Sequence, residues 1–196
     1  MAIGLVTLLT RALLPLGRSA FMRDQRGATA VELGLLALPF FSIIGAILET
    51  SLVFLSGQVL ESAVQDTSRL IRTGQSQGVI YNAADFKASV CDRLYGLFGN
   101  CSGLHVEVQT VLDFTSVAIS PPFDRTCEAD CQWTRPESYA PGVGTSFVVV
   151  QVYYKWPVIL SIGDMTLANL PEQKRLLATS AVFRNEPFGG GLGTGT

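Results

Sequence analysis

A lone acid stands at the mouth of an uncharged apolar run: Arg26 and Gly27 are followed by Ala28, Thr29, Ala30, Val31, Glu32 and Leu33. A carboxylate entering an apolar helix is expensive and asks for a chemical reason. If the chain is cut after Gly27, Glu32 becomes the fifth residue of the product and lies one helical turn from the new amino group of Ala28. A glycine before the scissile bond leaves the backbone unhindered in a protease groove. Glu32 can then pair with the Ala28 ammonium of a neighbouring subunit. Such a pair adds little net stability among apolar helices, but an unpaired partner is costly, so its main effect is to fix axial register.

The remaining reactive residues are few. Cys91, Cys101, Cys127 and Cys131 all follow the apolar run. In an oxidising compartment they read as disulfides, and of three connectivities the most local joins Cys91 to Cys101 and Cys127 to Cys131. The alternative is a metal site of Cys127, Cys131 and His105, but the separations match neither a zinc ribbon nor a finger. His105 is the sole histidine. It falls on the polar face of an expected strand, where it reads as a surface residue, and no Ser, Cys or acid is locally arranged with it for catalysis. No glycine-rich phosphate loop follows a strand. The expectation is therefore no enzyme, no cofactor and no small-molecule substrate.

Composition points to a membrane-anchored exported protein. The chain is 48% apolar and 15% charged with mean hydropathy +0.35, against about 25% charge in ordinary soluble domains. A net charge of -2 gives no nucleic-acid footprint. Residues 1–27 form a basic leader or cytoplasmic segment, with Arg11, Arg18, Arg23 and Arg26 opposed only by Asp24. The positive-inside rule keeps that end in the cytoplasm and places everything after the apolar run outside. Residues 2–16 are apolar but short and broken by Arg11, which fits an interfacial segment or a long leader. Translation from Met22 would instead leave Met-Arg-Asp-Gln-Arg-Gly as the leader. A cleaved secretory signal needs small residues at set positions after the apolar run, and Ala46-Ile47-Leu48 does not supply them. A plain signal anchor has the same hydropathy and remains the competing reading.

The elements follow from periodicity. Residues 33–48 carry no charge and span about 24 Å as a helix, with Glu32 and Glu49 at the two ends. Flanking residues extend the transmembrane helix to 28–55, so both carboxylates can lie near the interfaces and snorkel outward. Gly34, Ser42, Gly45 and Ala46 leave room for a second helix, and Pro39 should kink or loosen this one. Helical spacing of Leu52, Leu55, Val59, Ala63, Leu70 and Ile71 continues it as an amphipathic extension over 56–74, with Gly74 as the stop. The whole helix would be roughly 70 Å long, half in lipid and half on a folded domain.

An exported α+β domain over 75–188 is expected next. Asn82 and Asp85 start a short helix with Phe86, Val90, Leu94, Leu97 and Phe98 on its apolar face, ending near Gly99 and Asn100. Alternation over 104–114 marks a half-buried strand, 147–156 a second and 175–184 a third. The proline-containing stretch 120–145 reads as a long loop, and 158–162 as a short buried turn. A long helix on a small antiparallel sheet of about three strands is a stable two-layer unit. Residues 189–196 form a flexible glycine-rich tail.

These residues together carry a resemblance. The block from Arg26 to Leu33, the apolar helix with its embedded Ile47-Leu48-Glu49, the cysteine-containing short helix, the strand around residues 147–154 and the closing Phe183-Arg184-Asn185-Glu186-Pro187 look like the TadE-like proteins of the tight-adherence, or Flp-type, pilus. The resemblance runs from Arg26 to Pro187 and is most specific at its beginning. It implies a pilin-like fold and a minor pilin or pseudopilin of the bacterial inner membrane, N-terminus cytoplasmic and C-terminal domain periplasmic. It also implies cleavage by a prepilin peptidase, partnership with other pilins and Tad assembly proteins, and incorporation into a surface fibre. Gly27 matches the last leader residue, Ala28 the new N-terminus and Glu32 the pilin glutamate. Leu33 departs from the aromatic residue usual at the next position. Two alternatives keep the same membrane layout: an uncleaved periplasmic scaffold, and a membrane-tethered periplasmic enzyme or metal-binding domain.

Overall fold

The computed structural model describes residues 27–80, 82–117, 119–124, 126–129, 131–162 and 165–188. The expected leader and the glycine-rich tail lie outside the described residues. The chain divides into two compact units, Met1–Gly45 and Ala46–Thr196. Helix α1 (Ala28–Arg72) begins in the first and ends in the second, and Pro39 lies inside it without ending it.

In the first unit, the large apolar side chains of the described helix are exposed, among them Leu33, Leu35, Leu36, Leu38, Phe40, Phe41 and Ile43. The Ser42 hydroxyl donates to the Leu38 carbonyl at 2.8 Å, which satisfies it without water.

In the second unit the apolar residues of α1 become one-sided. Val53, Leu60, Ala63, Val64 and Ile71 are buried while Leu52, Phe54 and Leu55 stay exposed, the stripe of a helix lying on a core. The helix stops where Gly74 takes φ +74°. A Cβ there would meet Phe188 Cγ at 2.5 Å, so the position requires glycine for its backbone and its neighbour alike. Helix α2 (Ala83–Cys91) starts at Asn82, whose side chain accepts the Asp85 N–H at 2.9 Å, a cap the sequence foretold. It ends earlier than expected. Tyr95 and Gly96 both adopt positive φ, so the residues after Cys91 form turns, although Leu94 and Phe98 still reach the core.

The sheet has four strands, in the order β2 (Ser138–Tyr139), β1 (Leu104–Val111), β3 (Phe147–Pro157) and β6 (Lys174–Arg184). Strand β1 pairs antiparallel with β3, which pairs antiparallel with β6. The short β2 joins β1 in parallel, so the sheet is mixed and one strand larger than the sequence indicated. Two residues are too few to show a period. A separate two-stranded ribbon pairs β4 (Ser161–Ile162) with β5 (Met165–Thr166). One sheet face supplies Leu104, Val106, Val108, Val148, Val150, Val152, Leu177 and Ala181 to a core shared with α1, Phe86 and Val90.

Two expectations need correction. Strand β1 is buried on both faces over residues 104–108, because the 112–146 connection covers the second face. That connection holds the 3₁₀ turn Phe114–Ser116, a bridge between Phe123 and Trp133, and β2. Within 158–162, Val158 is buried but Ile159 is 81% exposed and Leu160 is at the margin of exposure, so the turn presents apolar side chains outward.

Candidate functional site

The residues singled out around the expected cleavage point sit at the start of α1. Gly27 immediately precedes the helix, is exposed, and, chain neighbours aside, has no atom of the described residues within 4 Å of where a Cβ would stand. Ala28 is the first helical residue and Glu32 follows one turn later, exposed. Among the described residues Glu32 has no salt-bridge partner. Gly34 likewise has open space around its missing side chain, so among the described residues none requires its smallness. Ser42 and Gly45 are half-buried and Pro39 exposed. The helix is long and apolar enough to cross a membrane, with its most apolar window at mean hydropathy 2.2 and no part of that window buried. A surface of this kind is stable only when lipid or other apolar matter covers it.

Glu49 behaves otherwise. It is 8% exposed, and its carboxylate accepts the backbone N–H groups of Ile159 and Leu160, the latter at 3.1 Å to Oε1 and 2.9 Å to Oε2. Pro157 precedes these donors and offers none itself. The side chain expected to snorkel outward therefore closes onto a turn 110 residues further along. The signal available in the sequence was an acid needing partners at the end of an apolar run; backbone donors leave no mark on side-chain pattern.

The four cysteines form two disulfides, Cys91 to Cys101 and Cys127 to Cys131. The first joins the end of α2 to Cys101, which lies three residues before β1 and has φ 57°. The second closes a small loop over the outer face of the sheet, so the thiols that the metal alternative needed are bonded to one another. No cluster able to hold a metal occurs among the described residues.

His105 is not at the surface. It is 2% exposed, lies on the outer face of β1, and stacks on Trp133 with ring centres 4.6 Å apart. Its Nε2 is 3.1 Å from Glu107 Oε1. Arg135 reaches the same carboxylate in a forked arrangement, Nε to Oε1 at 3.1 Å and Nη2 to Oε2 at 2.9 Å, and also donates to the Ser120 carbonyl. The Glu107 carboxylate holds the Arg135 pKa above its ordinary value. Burial, with Glu107 nearby, pushes the Tyr153 hydroxyl up. Tyr153 donates to Gln151, and Lys155 lies over Trp133 while bonding the Cys131 carbonyl. Sequence reasoning missed this network because Arg135 and Trp133 come from the connecting segment. Its chemistry is that of a clasp: paired charges and stacked rings fasten the Cys127–Cys131 loop to the sheet.

Residues 27–69 match a family model described as TadE-like protein, in agreement with the resemblance drawn from the sequence. The match starts at Gly27, one residue before α1, and ends within that helix. No curated protein and no solved structure matches the chain.

Proposed function

We propose, with the TadE-like character of residues 27–69 as the premise, that the protein is a minor pilin or pseudopilin taking part in assembly of a Tad, or Flp-type, adhesive pilus. The observation that carries this reading is a coincidence of boundaries. The family match begins at the glycine that immediately precedes α1, and the helix it introduces exposes apolar side chains that need an apolar surrounding.

In this reading α1 spans the inner membrane once, with the basic segment in the cytoplasm and the disulfide-bonded α+β domain in the periplasm. A prepilin peptidase cuts after Gly27. The freed Ala28 ammonium of one subunit and the Glu32 carboxylate of the next then settle into register, since a mismatch leaves a charge unpaired among apolar helices. The open space around Gly34 admits a neighbouring helix, with Ser42 and Gly45 continuing the small-residue surface. The role is structural, in assembly, with no reaction of its own.

Two substitutions separate processing from assembly. Replacing Gly27 by a bulky residue should block cleavage, while Glu32→Ala should be cut and then fail to associate with other subunits. Equal processing and equal association of both variants and the wild type would refute the proposal.

A further inference from the structure

The turn after β3 carries an uncharged, mostly apolar run of residues. Between Lys155 and Asp164 the sequence is Trp156, Pro157, Val158, Ile159, Leu160, Ser161, Ile162 and Gly163, without a charge. Ile159 is 81% exposed and Leu160 36% exposed. A free loop would shed such side chains from water, but this turn is held in place. The backbone N–H groups of Ile159 and Leu160 are bound by the Glu49 carboxylate, and Val158 N–H donates to the Gln173 carbonyl at 2.7 Å.

Glu49 fixes where the turn sits along α1. It directly follows Ile47 and Leu48, each 60% exposed, and precedes the exposed Leu52 and Leu55. Ile159 and Leu160 are thereby pinned beside the helix where its uncharged run ends, and the apolar surface of the helix continues onto the turn. Trp156 and Arg175 are partners in the β3–β6 register at the strand end next to the turn, Trp156 packed against Phe98 and Arg175 donating to the Leu167 carbonyl. The bonds also satisfy the Glu49 carboxylate and the two amides together, so none of them needs water at that depth.

From this continuity we propose that the Ile159–Leu160 turn is a second membrane contact, a foot inserted into the headgroup region of the bilayer that α1 crosses. It rests on the reading of α1 as a membrane span. Two points of attachment, the helix and the foot, would restrict rotation of the domain about the helix axis and present the sheet to neighbouring subunits at a set angle.

The test uses the full chain in phosphatidylcholine–phosphatidylglycerol vesicles, with single cysteines labelled by an environment-sensitive fluorophore and lipids brominated either near the headgroup or deep in the chains. Native cysteines are disulfide-bonded, so an introduced thiol is the labelling site. Ile159→Cys should lose most of its emission to shallow bromines and little to deep ones. Phe41→Cys should be quenched by deep bromines. Val143→Cys, exposed and apolar at the opposite end of β3, should be quenched by neither, since the strand separates it from the turn by about 33 Å. An unquenched probe at 159 beside a quenched probe at 41 overturns the foot and leaves the span standing. An unquenched probe at 41 overturns the span itself. A probe at 159 whose emission shifts with protein concentration but not with bromine would assign the turn to a second copy of the chain instead of lipid, and would also overturn the proposal.

Discussion

The Glu49 carboxylate accepts the backbone N–H of Leu160 across 111 residues of sequence, at 2.9 Å to Oε2. That contact, with its companion to Ile159, fastens the apolar helix to the turn that leaves β3. Glu49→Ala should therefore strand two amides and lower the stability of the folded domain by about 1–3 kcal/mol. Glu49→Gln keeps an acceptor oxygen and should recover part of the loss. Denaturant titration in detergent, followed by tryptophan fluorescence, measures both.

The Glu107–Arg135 fork predicts a different pattern. Glu107 is 2% exposed, whereas the Arg135 side chain is 40% exposed, so water can partly replace the guanidinium. Arg135→Met should cost about 2 kcal/mol, less than the 3–5 kcal/mol of losing one partner from a fully buried pair. Adding Glu107→Gln to it should restore some of that loss by removing the uncompensated charge. A double-mutant cycle on unfolding free energies decides it, and additive losses would show that the two side chains act independently.

Alkaline pH should loosen both faces of the sheet, since Tyr153 lies on the outer one and Tyr154 on the core side. Burial holds the Tyr153 and Tyr154 hydroxyls above the ordinary tyrosine value. A raised folded-state pKa means that the contribution is complete below the unfolded value, about 10, and is lost as pH climbs from there through the folded values. Unfolding free energy should be level at neutral pH and fall above about pH 10. Phenolate absorbance should show these groups ionising late and cooperatively with unfolding.

The disulfides differ in what they restrain. Cys91–Cys101 closes ten residues and Cys127–Cys131 four. Chain-entropy reasoning gives about 2.7 kcal/mol for the longer and about 1.9 kcal/mol for the shorter. Paired Cys→Ser variants should follow that order in thermal unfolding. Loss of the second should also raise protease sensitivity around Trp133 more than loss of the first, because it sits in the segment clasped to the sheet.

What the sequence made legible was whatever repeats locally. The α1 boundaries, the Asn82 cap, the Gly74 stop and the three long strands follow from periodicity, capping and backbone freedom within a few residues of each position. The parallel β2 was hidden because Ser138 and Tyr139 are too short to alternate. His105 looked solvated because its polar strand face was read without the connection that covers it, and charge pairing by Arg135 allowed Glu107 to be buried there. Glu49 looked like an outward-facing acid because its partners are main-chain amides. The TadE-like resemblance was legible where the family match also lies, along α1. The roles of Gly27, Ala28 and Glu32 belong to the proposal built on it.

The measurement that bears most directly on the account is the N-terminal residue of the protein purified from its own cells, with and without their prepilin peptidase. The account predicts Ala28 as the first residue when the peptidase is present and retained upstream arginines when it is absent. Protein that keeps those arginines in peptidase-containing cells that build normal pili would contradict it.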